Sequence, residues 1–201
     1  MAPLGHGRTG CEQCHGGDPR ATTAEAAHRG VLPAAEPESL VHATRLAATC
    51  GACHAPESKA YTDTVHAREV AEKGRGATCL TCHGAMAASL PSPAELDSRC
   101  STCYAESHEA KTALIMLAAA RKRLTRTRAD VEALRAKDPR WTANAVERLD
   151  ELEKHYADVQ LEWHTLHTRK VLERTRDLLE LSRPIRAEAD EHAEILARPE
   201  P

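Results

Sequence analysis

Apolar residues in the second half of the chain recur at intervals of three and four, the pattern of an α-helix that buries one face. A first seam comprises Leu117, Ala120, Leu124, Thr127, Val131 and Leu134. A second seam comprises Ala145, Leu149, Leu152, Tyr156, Val159, Trp163 and Leu166. Asp138-Pro139 separates the two predicted helices, because proline disfavours helical backbone at the residue before it. We expect Arg183-Pro184 to end the second helix and a short helix to close the chain.

These two helices predict a long antiparallel α-hairpin over residues 106–201, because long helices joined by a short turn fold back on each other. We expect the hairpin to pack on the N-terminal half of the chain. A purely structural hairpin and a dimerising coiled coil would produce the same periodicity.

The first half of the chain lacks the apolar residues that a conventional core requires. All eight cysteines fall before residue 105, large aliphatic side chains are sparse there, and Phe is absent from the whole chain. Side-chain burial alone would stabilise a domain of this size poorly. We therefore predict a domain over residues 1–105 with little regular secondary structure, in which a large apolar group fills the centre. The fold class of the whole chain is predicted to be mainly α.

Charge and hydropathy exclude some classes of protein. The formal net charge is −3 and the sequence pI is about 6.5, so nothing in the composition indicates binding to nucleic acid. The longest apolar run, Ala113–Ala120, is far too short to span a bilayer. The first residues contain no hydrophobic segment of the kind that directs export.

All eight cysteines occur as Cys-x-x-Cys pairs, and three of the pairs are followed directly by histidine. The pairs are Cys11/Cys14, Cys50/Cys53, Cys79/Cys82 and Cys100/Cys103, and the histidines are His15, His54 and His83. Cys-x-x-Cys-His is the attachment signature of c-type haem. Two thiols on one helical turn can form thioethers with the two vinyl groups of a porphyrin, and the imidazole that follows can then bind the iron. The motifs therefore predict three haem c groups.

Zinc binding, thiol chemistry and disulfides are the other uses of paired cysteines. Two such pairs can form a tetrahedral zinc site, and one pair can act as a thioredoxin-like redox centre. Neither use requires a histidine directly after the second cysteine in three separate motifs. A disulfide within a pair closes only a very short loop and constrains the chain little. Haem attachment therefore explains these three motifs best.

The fourth pair departs from the pattern, because Tyr104 follows Cys103 where the other motifs have histidine. One outcome is a haem at Cys100 and Cys103 whose iron is bound by Tyr104, since tyrosinate can ligate haem iron. A second is an attached haem with a remote ligand, and a third is a pair of thiols or a disulfide without haem. We expect attachment, because both cysteines stand at the motif spacing, so the chain would carry three or four haems.

Other histidines are expected to complete the irons, because electron-transfer haems usually carry two strong axial ligands. His28 and His66 each follow a motif histidine at a similar spacing, as in an imperfect internal repeat. His42 lies shortly before the second motif. We predict bis-histidine ligation with His28, His42 and His66 as the leading distal ligands. His6 and His192 lie near the chain ends and are interpreted as surface residues.

The second predicted helix carries three further histidines, His155, His164 and His167. At about 100° per residue, His155 and His167 fall on opposite shoulders of the apolar seam, with His164 farther round. We expect either His167 or His164 to serve as a distal iron ligand. A polar outer face explains the same three residues without ligation.

The segment Cys11-Glu12-Gln13-Cys14-His15-Gly16-Gly17-Asp18-Pro19, followed by Ala27-His28, resembles the start of bacterial multihaem cytochromes c. Residues 61–84 resemble a repeat of that superfamily, which includes cytochrome c554, NapC/NrfH-type and hydroxylamine oxidoreductase-like proteins. The likeness covers roughly residues 10–110, rests on short motifs and implies a tri- or tetrahaem member. It implies that His66 ligates a neighbouring haem, and Trp163-His164 is similar to helices that close some members. Tyr104 departs from the family pattern.

Electron transport is the function that these motifs predict, because short segments between the cysteine pairs would hold the haems close together. The expected partners are donor and acceptor redox proteins, including a membrane-bound one, and the hairpin would also allow a homo-oligomer or larger assembly. The alternative is a reductase with an open iron at the Tyr104 motif that acts on a small nitrogen compound. We favour electron transfer, because no cluster of substrate-binding groups accompanies that motif. Since haem c is attached outside the cytoplasm, we expect a periplasmic or extracellular protein whose export signal is absent from this chain.

Overall fold

The computed structural model describes residues 6, 9–84, 91–104 and 108–197. Over these ranges the chain forms helices and no strand, so the predicted mainly α fold is confirmed. The helices are α1 (Glu12–His15), α2 (Ala24–Ala27), α3 (Leu46–Gly51), α4 (Ala55–Thr62), α5 (Val65–Lys73), α6 (Cys79–His83), α7 (Pro93–Cys100), α8 (His108–Ala133), α9 (Pro139–Trp163) and α10 (Thr168–Ala197).

The chain divides into two compact units. The first consists of Met1–Ala105 with His164–Leu166, and the second of Glu106–Trp163 with His167–Pro201. The domain boundary predicted between residues 105 and 106 lies outside the described residues. The division nevertheless follows the change in composition, with the cysteine motifs in the first unit and the helical seams in the second.

Helices in the first unit are short, and their starts are set by local sequence. The hydroxyls of Thr23 and Thr64 accept hydrogen bonds from backbone N–H groups in the first turns of α2 and α5, at 3.2 and 3.1 Å. Ser92 and Glu95 form a reciprocal capping box at the start of α7. Such caps satisfy N–H groups that have no partner within the helix itself.

The first unit buries few apolar side chains. Among its described residues, the buried hydrophobic side chains are those of Leu46, Val70 and Leu96. The hydroxyl residues Ser39 and Thr64 are buried as well. Apolar contacts between side chains therefore contribute little to holding α1–α7 together.

The second unit has a continuous apolar core between α8, α9 and α10. Every residue of the first predicted seam is buried, from Leu117 to Leu134. Four residues of the second seam are buried on α9, and Tyr156 and Trp163 pack against the core at partial exposure. Leu149 and Leu178 are the largest fully buried side chains of the unit. The predicted helical seams are thus confirmed, except that Leu166 lies beyond the end of α9.

The end of the second predicted helix was placed wrongly. Helix α9 ends at Trp163, Leu166 adopts a left-handed backbone with φ 59°, and α10 then runs from Thr168 through Pro184 to Ala197. A proline inside a helix costs about 3 kcal/mol, because it removes a hydrogen bond and crowds the preceding turn. The buried face of α10 on both sides of Pro184 supplies the compensating contacts, through Val171, Thr175, Leu178, Ser182, Ile185 and Ala189.

Ion pairs link the three helices of the second unit. Arg128 on α8 binds Glu153 and Asp150 on α9 at 2.7 and 2.6 Å, and Arg148 on α9 binds Glu188 on α10 at 2.7 Å. In the described part of the chain, none of the helices combines the length and hydropathy needed to cross a bilayer.

Candidate functional site

The cysteine motifs share a single backbone turn. In the first motif, the N–H groups of Cys14 and His15 both donate to the carbonyl oxygen of Cys11, at 3.2 and 2.9 Å. The second motif repeats this pattern with the same two distances around the carbonyl oxygen of Cys50. One turn of helix therefore brings two thiols and the following imidazole together. All eight cysteines are free thiols.

The third motif is a complete short helix, α6. Thr78 caps its start, and the Thr81 hydroxyl accepts a hydrogen bond from the backbone N–H of Thr78 at 3.0 Å. Gly84 ends the helix with φ 75°, and Gly16 ends the first motif in the same way with φ 76°. Glycine suits these positions, because a Cβ atom is strained in the left-handed region.

Two motif histidines each face another imidazole. The rings of His54 and His6 have centroids 6.0 Å apart and planes inclined at 75°. The rings of His83 and His164 have centroids 6.1 Å apart and nearly parallel planes, at 12°. Each pair joins residues that lie far apart in the sequence within the first unit.

These separations match the axial positions of one metal ion. Metal–nitrogen bonds of about 2 Å, with about 1 Å from each nitrogen to its ring centroid, give about 6 Å between two imidazoles on opposite sides of an ion. Each ring can turn about its bond to the metal, so both interplanar angles are compatible with ligation. A porphyrin would supply the remaining four nitrogen ligands.

The setting of His83 favours a neutral imidazole. Burial lowers the pKa of His83 below its ordinary value, and the nearby charges of His164, Arg99 and His54 lower it further. Neutral imidazole is the form that offers a lone pair to a metal ion.

The first motif lies in a cleft with a volume of about 480 Å³. Cys11, His15 and His28 all line this cleft, together with the apolar side chain of Val31. The Nδ1 atom of His28 is 2.7 Å from the carbonyl oxygen of Ala24, which can only accept, so Nδ1 carries the proton. In a neutral imidazole with this hydrogen bond, the Nε2 atom is the one that offers a lone pair, as in many metal-binding histidines.

Neighbouring motifs are close enough for their thiols to interact. Burial raises the pKa of the Cys14 thiol, and the charge of Cys50 raises it further. A hydrogen bond from Cys50 lowers the pKa of Cys79 to about 7. Burial raises the pKa of Cys82, and the charge of Cys100 adds to this shift. The motifs thus follow one another in space in the order in which they occur in the sequence.

The fourth motif repeats the turn of the other three. The N–H groups of Cys103 and Tyr104 donate to the carbonyl oxygen of Cys100, at 3.1 and 3.0 Å. The Tyr104 hydroxyl lies 2.8 Å from Nε2 of His66, and the two ring centroids are 6.0 Å apart. His66, predicted as a distal ligand, therefore meets Tyr104 and not one of the motif histidines.

Other predicted ligands have different settings. His42 precedes α3, and its Nδ1 atom is 2.8 Å from the Thr44 hydroxyl and accepts the Thr44 backbone N–H at 3.4 Å. His167 belongs to the second unit, where its carbonyl oxygen accepts the N–H of Val171 at 3.1 Å. Of the two histidines predicted as alternative ligands on the second helix, His164 has its ring near that of a motif histidine, His83.

Sequence reasoning missed His6. Its position near the N-terminus suggested a surface residue, and it is indeed exposed, yet its ring faces that of His54. Its position a few residues before Cys11 was the available signal, because a short segment attached to the first motif stays close to the motifs that follow.

The residues present fit haem. Each Cys-x-x-Cys-His turn offers two free thiols and an imidazole. A further histidine ring lies near the motif histidine of the second and of the third motif, and His28 lines the same cleft as the first motif. Across the described ranges, no three His, Cys, Asp or Glu side chains converge as the ligands of one metal ion. Haem iron needs only two protein ligands, which is the number that each pair provides.

Comparison of the chain with protein-family models, with curated proteins and with solved structures finds no match. The resemblance to multihaem cytochromes c is therefore carried by the short cysteine motifs alone. The histidine pairs are a property of this chain's own fold, and they add a geometric argument that does not depend on a relative.

Proposed function

We propose that the first unit binds three c-type haems at its Cys-x-x-Cys-His motifs and that the chain transfers electrons between redox proteins. The observation that carries the proposal is the pairing of His54 with His6 and of His83 with His164 at about the separation of two axial ligands. The cysteine pattern does not require these second histidines, so motif and geometry support the proposal independently.

The side chains have separate tasks in this proposal. The two thiols of each motif fix the position of the porphyrin, and the motif histidine binds one side of the iron. A second histidine would complete each iron: His28 for the first motif, His6 for the second and His164 for the third. When bound, haem supplies a one-electron couple at its iron. Two histidine ligands close the iron to substrates, which favours electron transfer over catalysis.

The spatial order of the motifs supports a relay. Cys14 interacts with Cys50, and Cys50 with Cys79, so porphyrins attached there would be neighbours. Electrons tunnel readily between closely spaced cofactors, and each potential is set by the ligands, burial and nearby charge. The second motif stands between the first and the third.

Haem also accounts for the small core of the first unit. The described residues bury few apolar side chains there, and three porphyrins would supply the missing apolar surface. Covalent haem attachment implies an exported protein that works in the periplasm or outside the cell. The expected partners are redox proteins on either side of the relay, one of them membrane-bound.

The first test counts the haems on protein exported by a bacterial host that attaches haem c. We expect a Soret band and an intact mass raised by at least three haems. Replacing both cysteines of one motif by alanine, as in Cys11→Ala with Cys14→Ala, should remove one haem and leave the others. Colourless protein with the mass of the bare chain would overturn the proposal.

The second test follows electron redistribution after a rapid one-electron reduction. The variant Cys50→Ala with Cys53→Ala lacks the middle haem, and redistribution between the remaining haems should become much slower. The matched control, Cys11→Ala with Cys14→Ala, removes an end haem and should leave transfer between the second and third haems fast. Equal rates in both variants would contradict a relay in motif order.

A further inference from the structure

We propose that the fourth motif binds a further haem through Cys100 and Cys103, with Tyr104 and His66 as the two ligands of its iron. This inference rests on the proposed function, since it requires that the chain acquire c-type haem. It goes beyond that function by assigning an anionic tyrosinate ligand at one end of the haem series.

The backbone prepares Tyr104 for the place that histidine occupies in the other motifs. The hydrogen bonds from the N–H groups of Cys103 and Tyr104 to the Cys100 carbonyl reproduce those around Cys11, and they differ by at most 0.1 Å. A turn that presents two thiols and an imidazole in one motif presents two thiols and a phenol in the other. The fourth motif thus has the backbone turn of the first motif, with a phenol in the position of the imidazole.

A second, independent observation is the position of His66. It lies on α5, far from Tyr104 in the sequence, yet its Nε2 atom is 2.8 Å from the Tyr104 hydroxyl. Two donor atoms on opposite sides of an iron lie about 4 Å apart, so the pair must open by about 1 Å. Rotation of the half-exposed Tyr104 side chain permits this.

Attachment at this motif needs no additional oxidant. Each thiol adds across one vinyl group, so that a carbon–sulfur bond forms and the thiol hydrogen passes to the other vinyl carbon. All atoms of haem and protein are kept, so the mass rises by one whole haem. When Tyr104 binds ferric iron, its phenolic proton is released to solvent, which the exposed side chain allows.

The anionic ligand gives this haem a distinct role. A tyrosinate stabilises ferric iron more than a neutral imidazole does, so the fourth haem should have the lowest potential of the series. The guanidinium of Arg99, the residue before Cys100, donates to the carbonyl oxygen of Cys82 at 2.5 Å, which places the site next to the third motif. The His66 side chain opposite Tyr104 occupies the position that a substrate would need, so the site is a relay centre and not an open catalytic iron.

Intact mass of the exported wild-type protein tests occupancy. We expect four haems, and three in the variant Cys100→Ala with Cys103→Ala. Three haems in the wild type would overturn this inference and leave the proposed function intact. A protein without any haem would overturn both.

Resonance Raman spectra of the ferric protein test the ligand. Phenolate modes that shift in protein grown on ring-deuterated tyrosine should be present in the wild type and lost in Tyr104→His, with four haems kept and the lowest potential raised. The control variant Tyr156→Phe should keep these modes. Wild-type protein with four haems but no phenolate modes would overturn the assignment of Tyr104.

The variant His66→Ala tests the opposite side of the iron. We expect the haem count and the phenolate modes to persist, while the spin state of one haem changes. An unchanged spin state would overturn the assignment of His66. Cooperative unfolding measured on the same sample shows that the variant is folded.

Discussion

The imidazoles of His83 and His164 lie with their centroids 6.1 Å apart and their planes almost parallel, although one ends α6 and the other follows α9. The rings of Trp141 and His192, which also lie nearly parallel, have centroids only 4.2 Å apart. The separation of the His83 and His164 rings leaves room for a metal ion bound to one nitrogen of each ring.

Replacing His164 tests this relationship. In His164→Ala we expect the number of haems to stay the same, because the cysteines are unchanged, and one iron to lose a ligand and become high-spin. Low-temperature EPR would measure the change. The control is His167→Ala, which alters the neighbouring histidine of the second unit and should leave all low-spin signals in place. A high-spin signal in His167→Ala and none in His164→Ala would reverse the assignment.

Replacing His6 tests the pair that sequence reasoning missed. In His6→Ala we expect a second haem, the one at His54, to become high-spin, with an unchanged haem count. His192→Ala is the matched control, because both histidines lie near chain ends and His192 stacks on Trp141 in the second unit. If EPR of His6→Ala equals that of the wild type, His6 does not ligate the iron.

The sequence predicted those features that follow from short-range rules. The motif turns depend on residues within one helical turn, and the seams of α8 and α9 depend on apolar residues at helical spacing. The full length of helix α10 was not predicted, because its buried face includes Thr175 and Ser182, which weaken the apolar pattern, and because Pro184 indicated a break. Packing against two other helices overrides both local signals.

Which histidine faces which motif could not be predicted in the same way. His164 and His167 lie less than one helical turn apart in the sequence, and the choice between them depends on where α9 ends and on the left-handed backbone of Leu166. His66 was predicted as a distal iron ligand, but its contact with the hydroxyl of Tyr104 could not be predicted from the sequence. Such pairings depend on contacts between distant segments, which periodicity does not report.

Core packing in the second unit predicts a large effect at Leu149. This side chain is fully buried, and Leu149→Ala should lower the free energy of unfolding by about 2–5 kcal/mol, from lost burial and the cavity left behind. Leu181 is 56% exposed, and Leu181→Ala should change stability by less than about 0.5 kcal/mol. Urea unfolding followed by circular dichroism measures both. Similar losses in the two variants would contradict the assigned core.

Two buried threonines in the second unit should respond in opposite directions to the same substitution. Thr127 is fully buried, and within the described part of the chain its hydroxyl has no hydrogen-bond partner, whereas the Thr175 hydroxyl donates to the Val171 carbonyl at 2.7 Å. Thr127→Val removes an unsatisfied polar group and should stabilise the protein by about 1 kcal/mol. Thr175→Val removes a hydrogen bond and should destabilise it by a similar amount. Thermal unfolding of both variants measures these changes. A change of the same sign in the two variants would contradict the prediction.

The carboxylate of Glu188 links α10 to α9 and should make stability depend on pH. A hydrogen bond from Arg148, at 2.7 Å, lowers the pKa of Glu188, and the charge of Arg148, a hydrogen bond from Trp141 and the charge of His192 lower it further. A carboxyl whose pKa is lower in the folded state than in the unfolded state stabilises the fold above its unfolded pKa. This contribution disappears as the pH falls through the folded pKa.

Glu188→Gln should therefore cost stability at pH 7 and almost nothing in acid, below the lowered pKa of Glu188. Both side chains of the pair are more than a third exposed, so solvent screening limits the expected loss at neutral pH to about 0.5 kcal/mol. Urea midpoints of the wild type and the variant, measured from pH 7 downward, should converge as Glu188 takes up its proton in the folded protein. Glu191→Gln is a control at an exposed position nearby on α10, and its difference from the wild type should stay small at every pH. A constant difference between wild type and Glu188→Gln at every pH would mean that lost packing of the side chain, and not its charge, causes the effect.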